Sequence, residues 1–173
     1  MTKKPESSLL PGQPYQRGTL IAMILCSGIV FLQSTVINVA LPSLGRELET
    51  GLSGLQWIVD GYILTLAAFL IPGGSLGDRY GRRSTMIVGL LGFGATSVVC
   101  GLAPTAGWLI GARVMQGVAG ALLVPGSLAI IRDAYTDREA RGEAIGQWSG
   151  WSGISTVIGP LVGGWLGDSL SWR

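Results

Sequence analysis

Residues 84–131 read STMIVGLLGFGATSVVCGLAPTAGWLIGARVMQGVAGALLVPGSLAII, 48 residues with a single charge, Arg113. A helix rising 1.5 Å per residue crosses a hydrocarbon core of about 30 Å with roughly 20 apolar residues. The stretch is therefore long enough for two crossings, and Pro104 with Thr105 marks a turn near its middle. Outward from it, residues 18–45 hold no charge, residues 50–77 hold one, Asp60, and residues 144–167 hold none. The spacing predicts an all-α, polytopic helical membrane protein with spans at about 18–41, 53–75, 84–103, 107–130 and 144–166.

Composition agrees. Charged residues are 13% of the chain, against about 25% in soluble domains. Gly occurs 28 times and hydrophobic residues reach 48%. The net charge of +2 leaves no footprint for nucleic acid. There is no His, which removes the commonest metal ligand and general base. No G-x-x-x-x-G-K-[ST] loop is present to hold ATP. An enzyme is not expected, nor a cofactor or metal. Cys26 and Cys100 fall in separate apolar runs and read as packing residues.

Basic residues set the expected orientation. With the N-terminus inside, the inner segments hold nine: Lys3, Lys4, Arg17, Arg79, Arg82, Arg83, Arg132, Arg138 and Arg141. The outer segments hold two, Arg46 and Arg173. The positive-inside rule places the N-terminus in the cytoplasm, and the expected location is the plasma (inner) membrane. Residues 1–17, with Pro5, Pro11 and Pro14, read as a polar cytoplasmic tail, and residues 18–173 as one transmembrane bundle. The apolar stretch of span 1 exceeds the ~7–15 residues of a signal core, so it reads as a membrane helix. Trp57, Trp108, Trp148, Trp151, Trp165 and Trp172 mostly lie near span ends, as interfacial belts do. Trp57, Trp148 and Trp151 are also candidates to touch a lipophilic substrate.

Two ionisable residues sit inside spans, where each is a functional hypothesis by default. Asp60 lies about seven residues into span 2 and Arg113 about six from the outer end of span 4, roughly 9 Å. Gln33, Asp60 and Arg113 fall at one depth, which predicts a polar cluster. In it Asp60 carries a proton or meets a cation, and Arg113 tunes its acidity. The alternatives are a structural ion pair between Asp60 and Arg113, an Asp60 that reaches outer water, and an Arg113 that snorkels.

The motifs carry a resemblance. The loop between spans 2 and 3, GSLGDRYGRR at 74–83, resembles the signature G-x-x-x-D-R-x-G-R-R of the major facilitator superfamily through Gly74, Asp78, Arg79, Gly81, Arg82 and Arg83. Span 4 resembles the family's R-x-x-Q-G-x-G-x-A through Arg113, Gln116 and Gly117, with Gly120 one position late. Span 5 resembles the antiporter motif G-x8-G-x3-G-P-x2-G-G through Gly146, Gly159, Pro160, Gly163 and Gly164, with Ser155 at the second glycine. Span 1 resembles the opening D-x-T-x-x-N-x-A-L-P of the fourteen-helix drug:proton antiporter branch through Thr35, Asn38, Ala40, Leu41 and Pro42. Gln33 stands at its Asp position, and an amide cannot titrate.

The resemblance implies an all-α transporter of twelve or fourteen helices, of which this chain supplies about five spans of the first six-helix bundle. It implies proton-coupled efflux of lipophilic or cationic drugs by alternating access, with lipid, protons and a C-terminal bundle as partners. Asp78 and Arg82 would latch the two halves in the outward-facing state, Asp133 would pair with an arginine of the 2–3 loop, and Arg113 would serve proton coupling. The other readings are an importer of a small solute and a truncated product without transport of its own.

Overall fold

The computed structural model describes residues 14–169. Lys3, Lys4, the tail up to residue 13, Trp172 and Arg173 lie outside the described residues, as does the Trp165 side chain. Five helices follow one another: α1 (Pro14–Glu47), α2 (Leu52–Tyr80), α3 (Arg82–Gly101), α4 (Ala106–Ala134) and α5 (Arg138–Ser169). α1 starts inside the segment expected as tail. Pro14 occupies a first-turn position, where its fixed φ and missing N–H cost nothing.

The ends follow local chemistry. Thr105 caps α4, its hydroxyl accepting from the Trp108 amide at 3.3 Å. The Asp137 carboxylate accepts from the Ala140 amide at 2.9 Å and opens α5. Between α2 and α3 stands one residue, Gly81, at φ 93°, a conformation L side chains seldom adopt. Pro42, Pro72, Pro125 and Pro160 lie within α1, α2, α4 and α5, where neighbouring helices make such interruptions tolerable.

α4 is the hub. The main contacts pair α2 with α4, α1 with α5 and α3 with α4, and α1 also touches α4. α4 accordingly buries residues over most of its circumference, from Leu109 to Ile131, and leaves a strip with Met115 exposed. Small residues set the approach to α2: a Cβ on Gly73 would lie 2.5 Å from the Ala121 carbonyl oxygen, and one on Gly117 2.5 Å from that of Tyr62. Two apolar clusters result. One, toward the α4–α5 turn, includes Met23, Val30, Tyr62, Phe93, Leu123 and Trp148. The other, toward the α3–α4 turn, includes Ile37, Leu44, Ile58, Cys100 and Leu109.

The outward surface is apolar as well. Ile21, Leu25, Leu64, Ile71, Val88, Leu91, Val98 and Met115 are exposed large hydrophobics on four helices. In water such a surface is a liability, and in lipid it is the matching one. α1, α2, α3 and α4 are each long and apolar enough to cross a membrane.

Candidate functional site

Arg113 is fully buried, held among α2, α3 and its own helix α4. Its Nε donates to the Ile58 carbonyl at 3.2 Å and its Nη1 to Gln116 Oε1 at 2.7 Å. Its guanidinium lies over the Tyr62 ring, 4.2 Å from the centroid. Gln116 Nε2 donates to Ser97 Oγ on α3 at 2.7 Å, and the Tyr62 hydroxyl donates to the Val30 carbonyl on α1 at 3.1 Å. One polar chain thus joins four helices. No carboxylate is paired with Arg113 among the described residues, and its Nη2 has no hydrogen-bond partner. Complete burial sets aside the snorkelling alternative.

The expected cluster of Gln33, Asp60 and Arg113 does not form. Ile58 and Tyr62 are one helical turn apart and turn toward Arg113. Asp60, midway between them at about 100° per residue, points to the other side of α2. It is exposed there with Trp57 and Leu64, which share its face at helical spacing. Gln33 is half-buried on α1, and no hydrogen bond joins it to either residue among those described. Counting residues puts the three at one level, but helix phase separates Asp60 from Arg113.

The 2–3 loop makes a second polar group. Arg82 Nε and Nη2 donate to Asp78 Oδ1 at 3.1 and 3.0 Å. Arg82 Nη1 donates to Asp133 Oδ2 at 2.6 Å and to the Ala129 carbonyl at 3.1 Å, both near the end of α4. Arg82 is the arginine that meets Asp133. Both carboxylates are about two-thirds exposed, so solvent screens the pairs. Arg79 lies over the Tyr80 ring at 5.5 Å, and Arg83 is exposed. Gly74 faces Pro125 of α4, and a cavity of about 160 Å³ opens between the loop and α4.

The α5 motif divides. Gly159 seats against Thr35 and Leu32 of α1, Gly163 against Val36 and Gly164 against Val39. A Cβ on Gly28 of α1 would lie 3.0 Å from Ser155 Oγ, a tight contact. Gly146 and Pro160 are exposed, and Gly146 meets nothing. Below this contact, Trp148 Nε1 donates to Ser27 Oγ at 2.9 Å, Ser27 Oγ donates to Ser127 Oγ at 2.9 Å, and Ser127 Oγ donates to the Leu123 carbonyl at 2.7 Å. Trp148 meets Phe31 edge-on at 6.4 Å. Trp57, Trp108 and Trp151 are exposed.

Sequence reading missed Tyr62, Ser97 and the Ser27–Ser127–Trp148 set. Tyr62 had a signal, since it stands four residues after Ile58 on the helix face turned to α4. Ser97, in GATSVVCG, looks like any small residue of a membrane span.

Comparison with known proteins is consistent with these features. A family model described as Major Facilitator Superfamily matches residues 23–173. The chain is 40% identical over 167 residues to the tetracenomycin C resistance and export protein of Streptomyces glaucescens, covering 96% of this chain and 30% of that one. It is 40% identical over 144 residues to the multidrug efflux pump LfrA of Mycolicibacterium smegmatis, covering 83% and 29%. The puromycin resistance protein of Streptomyces alboniger is 37% identical over 181 residues, covering 100% and 36%. A crystal structure of a bacterial homolog to the human lysosomal transporter Spinster, inward-facing and unoccupied, superposes with a TM-score of 0.76 at 26% identity, over 94% of this chain and 38% of that one. The chain thus spans about a third of the length of the curated relatives it matches.

Proposed function

This chain belongs to the Major Facilitator Superfamily, and from that membership we propose that it is the first bundle of a longer exporter that expels lipophilic or cationic drugs in exchange for protons. It is an integral membrane protein, and its relatives include drug-resistance and efflux proteins. The proposal adds the coupling ion, alternating access against a second bundle, a cytoplasmic N-terminus in the inner membrane, and α5 as a fifth crossing. The nine basic residues of the inner segments support the orientation.

The burial of Arg113 carries the reading. A guanidinium inside a span costs about 2.5–3.5 kcal/mol on insertion scales, so its retention without a paired carboxylate speaks for use in the cycle. Arg113 and Gln116 form the buried half of the coupling site. Asp60 with Trp57 forms the exposed half, suited to a proton or an aromatic cation. Gln33 stands beside the pathway without titrating. Asp78, Arg79, Gly81, Arg82 and Arg83 form the latch loop. The α1–α5 contact through Gly159 and Gly163 holds the antiporter helix in place, with Gly146, Ser155, Pro160 and Gly164 along it.

The test is export of ethidium, a lipophilic cation, from liposomes holding the full-length protein under an imposed pH gradient. Arg113→Gln is expected to lower gradient-driven export roughly tenfold or more and to leave downhill ethidium exchange in place. Unchanged gradient-driven export in that variant would remove the coupling role.

A further inference from the structure

The Tyr62 side chain is fully buried and contacts two helices at once. Its ring face lies 4.2 Å from the Arg113 guanidinium, and its hydroxyl donates to the Val30 carbonyl of α1 at 3.1 Å. No carboxylate offsets Arg113 among the described residues. What faces the cation is the Ile58 carbonyl, the Gln116 amide oxygen and the negative face of the Tyr62 ring. The titratable groups nearest it are Tyr62 on α2 and Cys100 on α3, whose Sγ lies 3.9 Å from Gln116 Oε1. Asp60 is turned away on the far face of α2 and is exposed.

We propose that Tyr62 is a positioning residue for Arg113: its ring holds the guanidinium in register with Gln116, and its hydroxyl ties that register to the place of α1. This rests on the coupling role given to Arg113 above. A shift of α1 against α4 would pull on the Tyr62 hydroxyl and move the ring under the cation. Displacement of a whole helix thereby becomes a change in the surroundings of one charge.

A ring-electron series tests this without altering size. Phe, 4-fluoro-, 3,5-difluoro- and 3,4,5-trifluorophenylalanine are placed at position 62 of the full-length protein. Fluorination withdraws charge from the ring face and leaves packing almost unchanged. Gradient-driven ethidium export in liposomes is expected to fall stepwise with each fluorine, by about tenfold across the series, with its pH profile displaced in step and melting temperature constant. A merely structural Tyr62 would give a flat series, and a flat series overturns the inference. Tyr62→Phe alone keeps the ring and loses the tie to Val30, so it is expected to slow export while keeping the pH profile of the parent. Arg113→Gln is run in parallel. If it leaves coupling intact, the role of Arg113 itself falls, and this inference with it. If it abolishes coupling while the series stays flat, only the role of Tyr62 falls.

Discussion

Arg82 and Asp133, 51 positions apart in the chain, meet at 2.6 Å and join the α2–α3 turn to the end of α4. Arg82 also holds Asp78, four residues earlier, so a single guanidinium gathers two carboxylates and the Ala129 carbonyl. All three side chains reach solvent. Such solvent-screened pairs contribute little to stability, unlike the buried contacts around them.

The first prediction concerns this junction. Exposed ion pairs contribute about 0–1 kcal/mol. Asp133→Asn is expected to lower stability by no more than that, and the effect should shrink in about 0.5 M salt, where the Debye length falls to roughly 4 Å. Thermal unfolding in detergent at two salt concentrations checks both points. A loss several times larger would mean that the pair supports the fold itself.

Gly81 gives a second prediction. It alone links α2 to α3, at φ 93°. Gly81→Ala forces a Cβ into that conformation and is expected to cost about 1–2 kcal/mol. Gly146→Ala, on an exposed helix face with nothing near, is expected to be neutral or to stabilise by up to about 1 kcal/mol. Melting temperatures of the two variants, measured side by side, should move apart.

The α1–α5 contact gives a third. Gly159→Val would drive a branched side chain into Thr35 and the Leu32 carbonyl, at a cost of roughly 1–3 kcal/mol. Cysteines paired across α1 and α5 should then cross-link more slowly than in the parent. Unchanged cross-linking would show that the helices have room to spare.

Arg113 and Gln116 give a fourth. Arg113→Met leaves buried Gln116 Oε1 with only the weak Cys100 thiol donor at 3.9 Å and is expected to cost about 1–3 kcal/mol. Replacing both, Arg113→Met with Gln116→Leu, is expected to recover stability to within roughly 1 kcal/mol of the parent, while gradient-driven export stays lost. A double variant as unstable as the single one would contradict this account of the pair.

A fifth prediction follows from the parting of Asp60 and Arg113. Side chains with no shared contact add in their effects to within about 0.5 kcal/mol. A double-mutant cycle of Asp60→Asn and Arg113→Lys on unfolding free energy should return a coupling inside that margin. A larger value would restore the ion pair that the sequence suggested.

Much of the fold is legible from where charges are missing. The gap from 84 to 131, broken at Pro104, becomes α3 and α4, and Asp78 and Arg82 stand at the turn that their charge marks. Arg113 is recognisable as a buried cation because a lone charge deep in a long apolar run is costly to keep in lipid. Its partners are not recognisable in the same way. Depth follows from counting residues, but facing depends on helix phase and on which neighbour each face meets. Asp60 and Tyr62 differ by two positions and by about half a helix circumference, and only the Tyr62 side chain meets Arg113. The glycines teach the same lesson: Gly159 and Gly146 belong to one motif, yet only Gly159 meets another helix.

The Ser27–Ser127–Trp148 set contains hydroxyls and an indole and no ionisable group. Neither proton concentration nor ionic strength has any purchase on it. α1, α4 and α5 are therefore pinned at that point even in the salt that screens Arg82 from its carboxylates. The α2–α3 turn answers to the ionic strength of the medium, while the α1–α4–α5 contact keeps its hold whatever the salt.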